Sequence, residues 1–359
     1  MESLMSGSGM KRLSAPMVSR RGFLAGSGGI ALGLSMPKWA TAQGKSIVSC
    51  IFGGSFEDAY RKSIVEPFTA ETGVEVTLKY GNGSEWLTNA VINRNNPEID
   101  LLWLPYPQNI QAINEGLCIE LTPDDIPNLT EIAAPWYDGF RKMGVGLDYA
   151  SFGIGYRTDM VETEPTSWKD LWNEEYAGKI TLPDITASGG YQLLVMAAIA
   201  HGGSIENIDP GFEALKELKP RVRKFYKSNP EATQLLERGE VAVAAWFDGR
   251  SWGLADKGVP MKWVAPSEGA SAAMVSYHIP TNARDPEVCK AFINYAISKE
   301  AQEAFCNMMQ YGPVNTTAVL TGQAAERVPP LSSLKQLDWF GIVPRIGEWQ
   351  DRWNREITS

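Results

Sequence analysis

Strand-like and helix-like stretches alternate twice along this chain, and an extended run, VGLDYASFGIGYRTD at residues 145–159, separates the two series. In the first, Lys45–Phe52 is a β-branched strand, Gly53 and Gly54 turn, and a helix carries Ala59, Ile64, Val65 and Phe68 until Gly73 stops it. Val74–Tyr80 alternates as a strand, GNGSEW opens a helix capped by Asn82 or Ser84, and Glu98–Leu104 is a third strand. The second series runs GKITLPD (strand), SGGYQLLVMAAIA (apolar core helix), RVRKFYK (strand), NPEATQLLERGE (helix ending at Gly239) and VAVAAWF (buried strand). Each series predicts a parallel sheet covered by helices. A second extended run, AAMVSYHIPTNA, brings the chain back, and PEVCKAFINYAIS then follows at amphipathic helical spacing.

The expected fold class is therefore α/β with two lobes joined by two crossing strands. Lobe 1 would comprise residues 43–150 and 276–322, and lobe 2 residues 151–275 and 323–359. A length of 359 residues suits two cores better than one. Ligands of open α/β sheets sit outside the carboxyl ends of the strands, so both lobes would turn their loops to one cleft.

Residues 1–42 read as a cleavable export signal. Ser19-Arg20-Arg21-Gly22-Phe23-Leu24 precedes a Gly/Ala/Leu run to Met36, and Ala40-Thr41-Ala42 supplies the small residues of a cleavage site. The paired arginines match the twin-arginine variant, and Met17 is an alternative start. The run is too short and glycine-broken for the ~20 residues of a spanning helix. Taking away five basic residues and one acid from 33 and 42 leaves a formal charge of −13, against −9 for the whole chain. That balance excludes nucleic acid and anionic membrane surfaces as partners. Cys50 reads as a buried strand residue rather than a lipidation site, and Cys289 and Cys306, on neighbouring helical segments, are candidates for a bridge.

Holders for common chemistry are missing. There is no G-x-S-x-G elbow, G-x-G-x-x-G turn or Walker loop, and His201 and His278 are the only histidines. No metal site, catalytic triad or cofactor is expected, and the reading is not an enzyme.

Candidate ligand residues lie at strand ends. In IFGGSF the glycines admit a ligand to the backbone beside Ser55 and Phe56, or they only turn the chain. Tyr106 stands between two prolines in an exposed loop. Ser188-Gly189-Gly190 opens a helix whose free N–H groups suit an anion, though Ser188 or Thr186 could simply cap it. Asp184 caps or receives an amine. In AAWFDGRSW, Trp246 either fills core or packs on a ligand, and Arg250 can grip a carboxylate with two parallel bonds. Asp248 and Arg250 could instead pair on a surface turn.

These stretches resemble the periplasmic solute-binding proteins of ABC importers, in their spermidine/putrescine-type branch. PFTAETGVEV, SWKDLWNEEYAGKITLPD, YKSNPEATQLLERGEVAVAAWFDG and YGPVNTTA carry the likeness. The resemblance implies two lobes closing on a solute, a periplasmic location, and delivery to a permease with its ATPase. It places Phe56 where the branch has an aromatic, Trp246 and Tyr311 at ring positions of the pocket, and Asp184 near an amine-receiving carboxylate. It also exposes a departure. Polyamine binders carry a tryptophan and an aspartate where this chain has Ala273 and Val275, and Ser188 falls where another acid is expected. An unpaired ammonium in a closed cleft costs several kcal/mol. The expected solute therefore bears at least one carboxylate, with or without an amine, and Tyr277 completes the candidate lining. Arg250 and the helix start at Ser188 would take the anion, and Asp184 or Asp248 an ammonium. A strict polyamine binder is the alternative, followed by a periplasmic enzyme or sensor partner on the same clamp.

Overall fold

The computed structural model describes residues 44–53 and 55–358. The export-type stretch 1–42, Met17 and Gly54 lie outside the described residues, as does the side chain of Ser55.

The chain opens with β1 (Ser46–Ile51) and a helical run formed by α1 (Ser55–Tyr60), a π-helical turn and α2 (Glu66–Thr72). Ile64, Val65 and Phe68 are buried, and Gly73 ends the run at φ 72°, a left-handed conformation that glycine adopts without a Cβ clash. β2 (Glu75–Tyr80) pairs with β1 in parallel, from Ser46↔Glu75 to Ile51↔Tyr80. Asn82 then caps α3 (Gly83–Ile92): its side chain accepts from the N–H groups of Ser84 and Glu85, both at 3.1 Å, and Glu85 returns a bond to the Asn82 N–H. β3 (Leu102–Pro105) joins β1 by a parallel bridge at Ser49↔Leu101 and leads to α4 (Gln108–Asn114).

β4 (Val145–Arg157) is the long crossing strand. The second series follows it: β5 (Ile180–Pro183), α5 (Gly190–Ala200), α6 (Asp209–Leu218), β6 (Val222–Tyr226), α7 (Asn229–Glu237), β7 (Val243–Phe247), α8 (Asp248–Ala255) and β8 (Met261–Val264). β9 (Ser271–His278) returns antiparallel to β4, from Val145↔Tyr277 to Phe152↔Ser271, with a bulge between Gly146 and Asp148. Beyond it come α9 (Pro286–Ala296), α10 (Lys299–Met309), the short β10 (Gly312–Pro313), α11 (Gly322–Arg327), α12 (Trp339–Ile342) and α13 (Ile346–Trp353).

The main sheet has the order β3-β9-β4-β7-β5-β6, with β8 and β10 also on β4. The first residues of β4 pair with β9 and β10, and its last residues with β7 and β8. β5 pairs in parallel with β6 and β7, as the alternation predicts. All of α5 except Ile199 is buried, as an all-round apolar helix requires.

Two expectations are corrected here. Cys289 and Cys306 do not bridge; all four cysteines are free and buried. Cys289 turns its Sγ toward the Asp100 carbonyl at 3.3 Å, while Cys306 lies under the field of Asp148, so the two thiols serve different neighbours. Asp248 and Arg250 do not share a surface turn either; they lie in the first turn of α8. Residues two apart on a helix face away from each other, so the pair cannot form.

Candidate functional site

Phe56, the second residue of α1, sets its ring 4.7 Å from Trp103, 5.1 Å from Phe305 and 6.1 Å from Tyr311. Tyr311 follows α10 and covers the start of α8. A Cβ on Gly249 would come within 2.4 Å of its ring, so only glycine lets the ring lie that close. Burial pushes the Tyr311 hydroxyl up to about 12, with Arg250 pulling the other way and Asp148 and Asp248 adding to the rise. Phe56, Tyr311, Asp248 and Arg250 are thus brought together where the two strand series meet.

Asp248 is 1 % exposed. Its Oδ1 accepts from the N–H groups of Ser151 at 3.0 Å and Gly249 at 2.7 Å, while its Oδ2 is buried with no partner. Asp148 is 2 % exposed, and its Oδ2 is likewise orphaned. It stands on β4 just past the bulge, directly across from Val275 of β9 and Pro313 of β10. Burial raises the Asp148 carboxyl to about 8, with the Asp248 charge adding to it. Burial likewise raises Asp248 to about 6, against the N–H groups of Ser151 and Gly249. The Ser151 side chain acts on the same carboxyl in the same direction as its N–H.

Arg250 lies on the other side of the same helical turn. It is exposed and makes no hydrogen bond or ion pair among the described residues, although its charge reaches Tyr226 and Tyr311. The question raised by AAWFDGRSW has a divided answer: the aspartate faces in, the arginine faces out.

A second group gathers at the start of α5. Asp184 spends its Oδ1 on the N–H and hydroxyl of Thr186, at 3.1 and 2.8 Å, closing its own turn. Gly189 is the N-cap at φ 91°, with its Cα against Phe152, where a Cβ would come within 2.4 Å of the ring. Ser188 is exposed, and no side chain caps the helix. Capping by Ser188 or Thr186 is therefore not what the paired glycines serve.

Three of the expected lining residues are engaged by neighbours within the protein. Trp246 is fully buried, its indole N–H on Asn229 Oδ1 at 3.3 Å and its carbonyl accepting from Trp263. It fills the core beside α7, the plainer role of a tryptophan near a strand end. Tyr277 is also fully buried, its hydroxyl donating to Tyr60 at 2.8 Å in a core of rings. Tyr106 is sandwiched between Trp339, at 4.5 Å and nearly parallel, and Phe140. Sequence reasoning passed over Asp148 and Phe247. Asp148 was legible as the lone acid in an otherwise apolar crossing strand. Phe247 gave no such signal; it lies 5.2 Å from Phe152, on the strand face opposite Trp246.

Among the described residues no three His, Cys, Asp or Glu side chains group to hold a metal ion. No described helix is long and apolar enough to cross a membrane.

A family model described as bacterial extracellular solute-binding protein matches residues 63–329. A γ-aminobutyric acid-binding protein of Pseudomonas aeruginosa is 24 % identical over 83 % of this chain and 85 % of its own length. The spermidine/putrescine-binding periplasmic protein of Salmonella typhimurium is 25 % identical over 91 % and 92 %. The crystal structure of an extracellular solute-binding protein from Bordetella parapertussis superposes with a TM-score of 0.79 at 27 % identity, covering 88 % of this chain and 99 % of that one.

Proposed function

Because the chain belongs to the bacterial extracellular solute-binding protein family, whose members serve transporters and are not enzymes, we propose that it is the periplasmic, non-enzymatic substrate-binding component of an ABC importer. Its solute is a small molecule bearing a carboxylate, as in an amino acid-like ligand. Residues 1–42 direct export by the twin-arginine route, and the loaded protein delivers to a permease with its ATPase.

One observation carries the solute class. Arg250 is a cation with no anionic partner among the described residues, and its charge reaches Tyr311, whose ring lies 6.1 Å from that of Phe56. A guanidinium there can take a carboxylate by two parallel hydrogen bonds, with the rings enclosing the carbon chain. The uncapped start of α5 at Ser188–Gly189 offers a second set of N–H donors for the same charge.

Residues 43–150 with 276–322 form one lobe and 151–275 with 323–359 the other, hinged on β4 and β9. The change of β4 partners near Ser151 supports that division. In it the Tyr106–Trp339 stack joins the two lobes and must separate when they open. Closure follows from differential affinity: a solute touching both lobes favours the closed form, which the permease reads.

The relative that binds γ-aminobutyric acid and the relatives that bind polyamines bracket this reading. Thermal melting of residues 43–359 against carboxylates, amino acids and polyamines tests it. A ligand at 100 times its Kd adds about 2.7 kcal/mol of stability. Stabilisation by carboxylate-bearing solutes is expected; stabilisation by polyamines alone would replace the solute class and leave the importer assignment standing.

A further inference from the structure

The tail of the chain is anchored on the second strand series and yet reaches the first. Lys335 exchanges two backbone bonds with the start of β9: its N–H donates to the Ala270 carbonyl at 2.8 Å, and its carbonyl accepts from the Ala272 N–H at 3.1 Å. In α13, Gln350 donates to the Tyr191 hydroxyl of α5 at 2.6 Å, and Arg352 pairs with Asp209 of α6. Trp353 meets Phe225 of β6 edge-on, 5.6 Å away.

Between these anchors, α12 turns two rings to the first series. Trp339, only 5 % exposed, lies 4.5 Å from the Tyr106 ring and within 7° of parallel to it. Phe340 lies under the Arg141 guanidinium, 3.8 Å from the ring centroid, a cation–π contact. Successive helix residues point about 100° apart, so the two rings meet different parts of the first series. Tyr106 follows β3, whereas Arg141 precedes β4. Asp338 fixes the turn that carries both rings, its side chain accepting from the Gly341 N–H at 3.1 Å. Arg141 keeps its place at φ 51°, and Lys142 follows at φ 62°, a region that residues with a Cβ seldom occupy.

We propose that α12 is a clasp that holds the two lobes closed in the absence of solute. The proposal rests on the reading of two lobes hinged on β4 and β9, and it adds a source of closure that the solute never touches. The apparent affinity for a solute is that of the closed form multiplied by the fraction of protein already closed. A clasp that raises this fraction therefore strengthens every solute by the same factor, whatever its charge or length. A residue lining the pocket would discriminate among solutes instead. Trp339 and Arg141 are positioning residues in this sense.

The test compares residues 43–359 as wild type, Trp339→Ala, Trp339→Phe and Arg141→Gln by small-angle X-ray scattering, after dialysis under mild denaturant to remove carried-over solute. Wild type and Trp339→Phe, which keeps a ring on Tyr106, are expected to share the smaller radius of gyration of the closed form. Trp339→Ala lowers the closed-to-open ratio by about ten-fold, the worth of one aromatic pair, and its radius rises. Arg141 is exposed, so Arg141→Gln leaves the core intact and shifts the radius the same way by less. Circular dichroism checks that each variant is folded; should Trp339→Ala fail to fold, the shift in Arg141→Gln decides. Equal radii in all the folded proteins, narrow or wide, would overturn the clasp. So would a Trp339→Phe variant as wide as Trp339→Ala, because the stack would then not be what holds the lobes. Scattering needs no solute, so the clasp can fail while carboxylates still stabilise the protein, and it can stand while they do not.

Discussion

Asp100 and the Asp148–Asp248 pair are both carboxylates shut inside the protein, yet they are furnished in opposite ways. Asp100 has its Oδ2 on the Val48 N–H at 2.8 Å and its Oδ1 on Arg284 Nε at 2.8 Å, with Arg284 Nη2 adding a further bond. It ties β1 to the segment that leads into α9. Asp248 draws on Ser151 and on the Gly249 N–H, and among the described residues no ion pair is formed by it or by Asp148, each of which leaves its Oδ2 unpaired. Equal burial with unequal partnering separates a carboxylate that builds the fold from two that each leave one oxygen unpaired. It also assigns different signs to their removal.

The largest effect is expected at the furnished site. Asp100→Ala leaves the Val48 N–H without an acceptor and removes the partner of the half-exposed Arg284, and should cost about 2–3 kcal/mol in chemical denaturation. A loss near zero would erase the distinction. Gly249→Ala forces a Cβ against the Tyr311 ring and should cost about 1–3 kcal/mol while also weakening solute binding. Asp148→Asn should do the reverse of Asp100→Ala and raise stability by about 1–2 kcal/mol at pH 8. The sign follows from the raised carboxyl. The folded protein holds a proton on Asp148 up to about pH 8, whereas the unfolded chain releases it near 3.8. The wild type therefore loses stability as pH rises through that window, and the asparagine variant does not. Its advantage should be absent at pH 4 and complete above pH 8, as melting curves across pH would record. Arg250→Ala should be the quietest, within about 0.5 kcal/mol of wild type in stability, because an exposed unpaired side chain supports nothing in the fold. Its loss should appear only in carboxylate binding.

The alternation of elements was legible because helices and strands announce themselves through period and punctuation. Gly73 stopped its helix and Asn82 capped the next for reasons visible in the letters alone. Orientation was harder to read. AAWF places Trp246 and Phe247 on opposite faces of one strand, and nothing in four residues says which face a neighbouring helix will cover; α7 covers Trp246. Tyr277 looked available for the same reason and instead meets Tyr60, 217 residues away. Asp248 and Arg250 could have been separated sooner, since a DGRSWGLA stretch after a strand is a helix start and its first and third residues diverge. Asp148 was the most informative residue passed over: a lone acid inside a crossing strand is costly to bury, and it lies 2 % exposed with one oxygen unpaired.

The most direct measurement is calorimetric titration of residues 43–359 with straight-chain α,ω-amino acids of three to six carbons, beside the amine and the carboxylate of each length. The account predicts that the best amino acid binds at least about ten-fold tighter than either of its halves, a gain of about 1.4 kcal/mol. Equal affinity for a half-molecule, or no heat from any compound in the series, would contradict it.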